Sequence, residues 1–480
     1  MRIRIVSRIL GFLLIFLGGA LLLPLPFSLY YGGGDHISFI ISAAISIAVG
    51  STAFFISGRG QDIRPKEGFA VVALGWVALS AFGCLPYLIS GSIAEPVDAF
   101  FETMSGFTTT GATILTDIES LPHGILFWRS LTHWIGGMGI ILLSLAVLPF
   151  LGVGGMQLFK AEVPGPMADK LKPRVTETAK ILWGVYVLIS TVEAALLMLG
   201  GMSFFDALCH TFGTMATGGF STRNASIGAY DSAYFDYIIT FFMILAGTNF
   251  ALHYRALRGD VLAYFRNKEF LFYGAVIIIA LILIGIDTYN NIYGNFFESL
   301  QATLFQVVAI LTTTGYGTAD YEQWSLTSQL ILFSLMFIGG CAGSTGGGMK
   351  VLRVFLLIKF VKSEIVRLLH PQAVVPTRIG RNVVDRKTMG NVAGFFVLFV
   401  MLTATSTLIV SAMGLDLATS LGVVAATINN IGPGLGLVGP TDNYAFLPDA
   451  AKWLTTFLML VGRLEVFTVI ILFSRTYWSK

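Results

Sequence analysis

The stretch 310-ILTTTGYGT-318 has three counterparts in the same chain: 106-GFTTTGAT-113, 213-GTMATGGFST-222 and 428-INNIGPG-434. Each closes a short apolar segment, and each lies between two longer apolar runs. Aligned on Gly111, Gly218, Gly315 and Gly432, they stand 107, 97 and 117 residues apart. One pattern therefore occurs four times: a long apolar helix, a short apolar segment ending in Thr, Asn and Gly, and a second helix. A repeat of this kind has to be settled before any local feature. A single Thr-Gly pair is ordinary packing material in a membrane helix. Four in equivalent positions are not.

The rest of the chain says what solvent the repeats meet. Of 480 residues, 55% are hydrophobic and 12% charged, with a mean hydropathy of +0.78, whereas soluble domains carry about 25% charged residues. Runs at 9–25, 181–200 and 271–286 approach or reach the roughly 20 apolar residues that cross a hydrocarbon core. The first follows Arg2, Arg4 and Arg8 as a signal peptide would, but it lacks a convincing cleavage site and a second apolar span follows at once. It reads as a retained helix. Cys84, Cys209 and Cys341 are isolated and suggest neither a disulfide framework nor a metal cluster.

Charge placement sets the topology. All Lys and Arg except Arg129, Arg223, Lys452 and Arg463 fall into six clusters: the N-terminus, 59–66, 160–180, 255–268, 350–387, and Arg475 with Lys480. The segments between them carry acids such as Asp35, Asp98, Asp117, Asp236, Asp287, Glu322 and Asp442. The positive-inside rule puts the clusters, and both termini, in the cytoplasm. The expected fold is an all-α polytopic membrane protein with ten transmembrane helices plus four re-entrant pore helix–filter loops in a pseudo-fourfold arrangement. Its expected segments are an N-terminal helix pair (1–66) and pore repeats at 67–153, 154–260, 261–370 and 371–480.

Non-helical backbone at membrane depth survives only where it is buried in protein or lines water. Four Thr-Gly stretches around one axis turn unsatisfied carbonyls into rings that replace the water shell of an alkali cation. The candidate ion-binding residues are Thr109, Thr110 and Gly111; Ala216, Thr217 and Gly218; Thr313, Thr314 and Gly315; and Asn430, Ile431 and Gly432. Asp98, Asp206, Glu298 and Asp416 stand near the starts of the four short helices, where they favour the positive dipole end and can cap it. The glycine-rich 339-GGCAGSTGGGMK-350 breaks the apolar run 326–357, since a helix costs about 1 kcal/mol per Gly relative to Ala. Arg463 lies inside an apolar span, which makes it a functional candidate. Glu465, two residues on, points to another helix face. His123, His133 and His210 lack metal-ligand spacing and read as hydrogen-bonded structural residues. HExxH and GxSxG motifs are absent, and no histidine is near Ser344 or Cys341 in sequence, so no enzyme is expected. A secondary carrier typically uses inverted or parallel repeats around one midplane site, which fits four like-oriented units less well than a pore does.

The segment 311-LTTTGYG-317 resembles the TVGYG filter of potassium channels, and the fourfold pattern resembles the Trk/Ktr/HKT potassium transporter superfamily. The N-terminal helix pair, 102-ETMSGFTTTGAT-113, 134-WIGGMGII-141 and 149-PFLGVGGMQLFKAE-162 bring the chain closest to the Trk membrane subunits, TrkH/TrkG. The resemblance covers essentially the whole chain. It implies potassium uptake in a bacterial inner membrane, by passive conduction or by H+ or Na+ symport, with one ion path per protomer, commonly in a homodimer. It implies that the break at Gly339, Gly340, Gly343, Gly346, Gly347, Gly348 and Lys350 forms, with Arg463, a gate under the filter. It also implies a cytoplasmic partner, TrkA, a ring of nucleotide-binding regulatory domains. The expected ligands are therefore potassium as substrate and nucleotide on the partner alone. Membrane lipid is an expected partner and nucleic acid is not. Only the third repeat keeps Gly-Tyr-Gly, and equivalent positions share no side chain except the central Gly, so looser coordination than in a channel with four identical filters is expected.

Overall fold

A computed structural model describes residues 2–57, 65–139, 175–373, 375–379, 382–384 and 386–478. Helices dominate because the sequence is built from long apolar runs whose backbone groups must be satisfied within the segment itself. The first run, Ile3–Tyr31, returns as His36–Ile56. Gly11 and Gly50 let the two helices touch: a Cβ on either would come within 2.7 Å of the other's carbonyl oxygen. Small residues at a close crossing are the usual means of joining helices in lipid.

Each repeat opens with a long helix, at Lys66–Ser90, Glu177–Leu199, Lys268–Tyr293 and Thr388–Ala412. On the third of these, Ile278, Ile279, Ile282 and Leu283 are exposed while Tyr273, Ile277 and Ile284 are buried. A helix apolar all round, with one face in protein and one exposed, suits a lipid-facing position. The next helix is short: Pro96–Phe107, Phe204–Met215, Phe296–Leu311 and Leu417–Ile428. At 1.5 Å per residue these reach about 18–24 Å, too little to cross. Their C-terminal halves are almost wholly buried.

The inner helix of each repeat comes last, and here the structure departs from expectation. A break was expected only in the third repeat, where Leu326–Met336 gives way to the glycine segment before Val351–Leu369. The second is broken as well: Ala233–Ala246 meets Phe250–Leu257 at 102°. So is the fourth, where Asp449–Arg463 meets Val466–Phe473 at 116°. The signals were short and polar. Asn249 caps the restarted helix by accepting from Ala251 N–H, and Glu465 takes a left-handed φ of 59°. In the first repeat His123–Gly137 ends at the same stage, and residues 140–141 and 149–162 of the motifs quoted above lie outside the described residues. Among the described residues six helices are long and apolar enough to cross, or eight if each bent pair counts as one span. Ten crossings is therefore not a count the structure gives. A two-residue antiparallel ladder, Arg378–Ile379 with Asn382–Val383, lies between the helix Val351–Leu369 and the helix Arg386–Ala412.

Candidate ion path

The four short helices end alike. Two residues past Phe107, Met215, Leu311 and Ile428 the backbone turns left-handed, at Thr109 (φ 53°), Thr217 (54°), Thr313 (61°) and Asn430 (54°). The next N–H reaches back five residues: Thr110 to Ser105 O (2.9 Å), Gly218 to Gly213 O (2.8 Å), Thr314 to Ala309 O (2.9 Å) and Ile431 to Ala426 O (2.9 Å). This is a Schellman-type closure, which normally puts Gly at the left-handed position. A β-branched residue there is strained, at about 1–3 kcal/mol each. Two residues later the chain is left-handed again, at Gly111 (79°), Gly219 (78°), Gly315 (75°) and Gly432 (97°).

The second repeat is thus in a different register from the one the sequence suggested. Gly219, not Gly218, is the counterpart of Gly111, Gly315 and Gly432, and Gly218 matches Thr110, Thr314 and Ile431. Ala216 matches Thr108, Thr312 and Asn429. Two adjacent glycines offered no local basis for choosing between them. Gly218 has its own steric reason to be glycine, since a Cβ there would sit 2.3 Å from His133 Nδ1.

The four loops close a ring. A Cβ on Gly111 would lie 2.0 Å from Gly218 O, one on Gly219 2.0 Å from Thr314 O, one on Gly315 1.8 Å from Ile431 O, and one on Gly432 2.8 Å from Thr110 O. Each glycine therefore packs on the carbonyl of the next repeat, in the cyclic order one, two, three, four. All four glycines line one cavity of about 70 Å³, together with Arg129, Arg223, Asn224 and Asp442. The candidate ion-binding residues with side chains are fully buried.

Buried hydroxyls and one ion pair brace the ring. Tyr316 Oη donates to His210 O (2.9 Å), tying the third loop to the second short helix, and Tyr444 Oη donates to Gly432 O (2.7 Å). Arg129 Nε donates to Glu102 (2.6 Å) and its Nη1 to Ser221 O (2.9 Å), while Glu102 also accepts from Ile114 N–H (3.0 Å). The buried pair lies within repeat one and the bond to Ser221 O ties it to repeat two; sequence reading missed it because the two residues sit on different helices. The histidines serve as braces. His133 stacks on Phe220 at 4.0 Å, His123 stacks on Tyr31 at 3.9 Å, and His210 bonds Asp206 O and Ser221 Oγ. At the helix starts, only Asp416 of the four expected acids is itself the cap. It accepts from Thr419 N–H (3.1 Å), and hydrogen bonds from Thr419 hold its carboxyl below the usual range. Ser203 and Asn295 cap the second and third helices, with Asp206 and Glu298 in the first turn. Asp98 pairs with Lys452 (2.5 Å).

The glycine segment lies against the ends of three short helices. Thr345 Oγ1 donates to Met215 O (2.9 Å), Gly347 N to Thr313 Oγ1 (2.6 Å), and a Cβ on Gly347 would lie 2.6 Å from Asn429 O. It is pinned to the break in repeat two, where Cys341 N–H donates to Gly247 O (2.8 Å) and Phe250 N–H to Gly343 O (3.0 Å). Gly339 N–H donates to Met349 O (2.8 Å), and Gly343 and Gly348 are left-handed at 75° and 62°. A Cβ on Gly339 would lie 2.1 Å from Gly347 O, and one on Gly340 or Gly346 within 3.1 Å of a neighbouring oxygen. Lys350 Nζ donates to Gly346 O. Arg463 donates to Thr345 O (2.7 Å), Gly136 O (2.8 Å) and Gly137 O (2.9 Å). It thus joins the loop to the carbonyl end of the first inner helix, where the helix dipole favours a cation. Glu465 pairs instead with Arg353.

Comparison with known proteins agrees with this architecture. The TrkH family model, described as cation transport protein, matches residues 35–480. The Trk system potassium uptake protein TrkH of Salmonella typhimurium is 43% identical over 485 residues, covering 100% of both chains. The Trk system potassium uptake protein TrkG of Escherichia coli K12 is 36% identical, covering 100% of this chain and 99% of its own length. The chain belongs to the TrkH family. The crystal structure of the potassium transporter TrkH from Vibrio parahaemolyticus matches with a TM-score of 0.91 at 36% identity over 100% of both chains. As a TrkH family member with several long apolar helices, the chain is a multi-pass membrane protein and a transport protein, not an enzyme. Within the TrkH fold the features hardest to foresee were partners distant in sequence: Glu102 with Arg129, Arg463 with Gly136, and Gly219 with Thr314.

Proposed function

We propose that this chain takes up potassium across a bacterial inner membrane through a pore formed by four filter loops, one from each of the repeats 67–153, 154–260, 261–370 and 371–480. One observation carries the reading: the ring in which each glycine abuts the next repeat's carbonyl. Carbonyl rings replace the hydration of a potassium ion, and the TrkH and TrkG relatives are potassium uptake proteins by name. The backbone at Thr109–Gly111, Thr217–Gly219, Thr313–Gly315 and Asn430–Gly432 would bind the ion, with Thr110, Gly218, Thr314 and Ile431 supplying the carbonyls between the two left-handed turns. The segment 339–350 and Arg463 form the gate, because a fixed positive charge and a plug of buried backbone oppose a cation where little water screens it. The chain works as a homodimer with both termini cytoplasmic, regulated by a TrkA-like ring that carries the nucleotide.

Purified protein in liposomes, under opposed potassium and sodium gradients, should give a reversal potential near that of potassium. A reversal potential indifferent to which cation is present would overturn the reading. Adding a proton or sodium gradient to the same measurement separates passive conduction from coupled transport.

A further inference from the structure

We infer that the elbow at 250–268 lies along the cytoplasmic face of the membrane as a binding surface for anionic phospholipid headgroups, and that lipid bound there holds the glycine loop closed. The inference rests on the gate reading above and adds a regulator that acts on it.

Phe250–Leu257 leaves the second inner helix at 102°. A helix at a right angle to one that crosses the membrane runs near the membrane plane. The short helix Ala263–Arg266 follows, and Lys268 then opens the next long helix, whose Leu271 and Ile278 are exposed. The elbow thus continues a lipid-facing surface. Its own outer side is mixed. Leu257, Val261, Leu262 and Phe265 are each more than half exposed, a set of large apolar side chains that marks a contact surface. Among them stand Arg255, Arg258, Arg266 and Lys268, all exposed, against the single acid Asp260. Such a mixture suits headgroup depth, with the apolar side chains at the acyl boundary and the basic ends among the phosphates. The positive-inside rule puts this cluster on the cytoplasmic side, where the leaflet carries anionic lipid. Charge complementarity therefore names the occupant.

The buried side of the elbow is fastened to the glycine loop at both ends. At its start Phe250 N–H donates to Gly343 O (3.0 Å), and a Cβ on Gly343 would stand 3.1 Å from Asn249 Oδ1. Just past its end Glu269 accepts from Ala342 N–H (2.6 Å). His253 keeps the elbow in one piece, bonding Leu245 O (2.9 Å) and Tyr264 Oη (2.6 Å). The loop leaves only by releasing both ends. Lipid that binds the elbow in this arrangement stabilises the closed loop, and closure tightens lipid binding by the same factor.

The test is to titrate phosphatidylglycerol into phosphatidylcholine nanodiscs that hold the full-length protein without its regulatory partner, with hydrogen exchange as the readout. Amides at 251–258 and at 341–343 should slow together as phosphatidylglycerol rises. Arg258→Gln and Lys268→Gln, each of which leaves the Arg255–Asp260 pair intact, should each demand roughly fivefold more phosphatidylglycerol for the same slowing, the factor for one basic residue near an anionic surface. Exchange indifferent to phosphatidylglycerol overturns the site, and so does a midpoint that neither variant moves, which would leave this surface to the regulatory partner. Slowing confined to 251–258 overturns the link to the loop. Potassium flux in vesicles of the same compositions separates the inference from the reading it rests on. Flux should fall as phosphatidylglycerol rises. If exchange at 341–343 responds and flux does not, the loop is no gate and the lipid site stands.

Discussion

At the scale of single residues, the loops combine strain with close approach. Thr109, Thr217 and Thr313 accept left-handed angles that glycine would adopt freely, at about 1–3 kcal/mol each. Their hydroxyls are fully buried, so the strained residues bring polar oxygen to the loop that glycine could not. The register of the second loop yields a contrast between neighbours. Gly219→Ala puts a methyl group 2.0 Å from Thr314 O at a left-handed φ of 78°, so the ring itself must move. Gly218→Ala meets the His133 ring behind the loop. Gly219→Ala should lower the potassium-to-sodium permeability ratio, by tenfold or more if the ring loses about 1.4 kcal/mol of discrimination. Gly218→Ala should chiefly lower the thermal midpoint and leave more of the ratio intact. Vesicle reversal potentials and thermal unfolding in detergent check both, and the reverse ranking would make Gly218, not Gly219, the counterpart of Gly111, Gly315 and Gly432.

At the scale of helices, the breaks satisfy one another. A helix that ends at membrane depth exposes carbonyls that no water meets. Those of repeat two, Ala246 and Gly247, accept N–H groups of the glycine loop from repeat three, and Gly136 and Gly137 of repeat one accept from Arg463 of repeat four. Arg463 stands on the last residue of its inner helix, as Gly137 does on the first. One repeat therefore supplies a cation where another supplies only backbone. Arg463→Ala removes three charge-assisted bonds and should raise basal potassium flux without the regulatory partner. Shortening 339–350 should raise it too, and combining the changes should add little if they open one gate. Flux per folded molecule is the measurement. A well-folded Arg463→Ala protein no faster than its parent would move the barrier elsewhere.

At the scale of the whole molecule, the ring needs all four repeats, because each glycine leans on its neighbour and Gly432 returns to Thr110. The segment 350–387 carries nine Lys and Arg, more than any other cluster. Arg378 is exposed in the short ladder, with its carbonyl accepting from Lys359 Nζ (2.7 Å), and Arg386 is exposed at the start of the next helix. Arg381 lies outside the described residues, as does most of the basic cluster 160–180. Reversing the charge at Arg378, Arg381 and Arg386 should weaken pull-down of the regulatory ring while membrane insertion is kept. Undiminished binding would assign these charges to topology or to anionic lipid.

By itself the sequence determined that this is a helical membrane protein, that one pattern recurs four times, and that the chain breaks at 339–350. Each of these is written in local composition: apolar runs long enough to span, turn residues at recurring intervals, and glycines too dense for a helix. It also singled out Arg463, since a charge among apolar residues is conspicuous in one dimension. Only the tertiary structure decided which glycine of the pair at 218 and 219 joins the ring, because the choice depends on a backbone angle and on Thr314 from another repeat. The breaks after Ala246 and Arg463 belong to the same class, since their carbonyls and charges are satisfied by segments far away in sequence. The cost of an unpaired buried group is set by its partner, and partners of that kind are brought together only when the four repeats close.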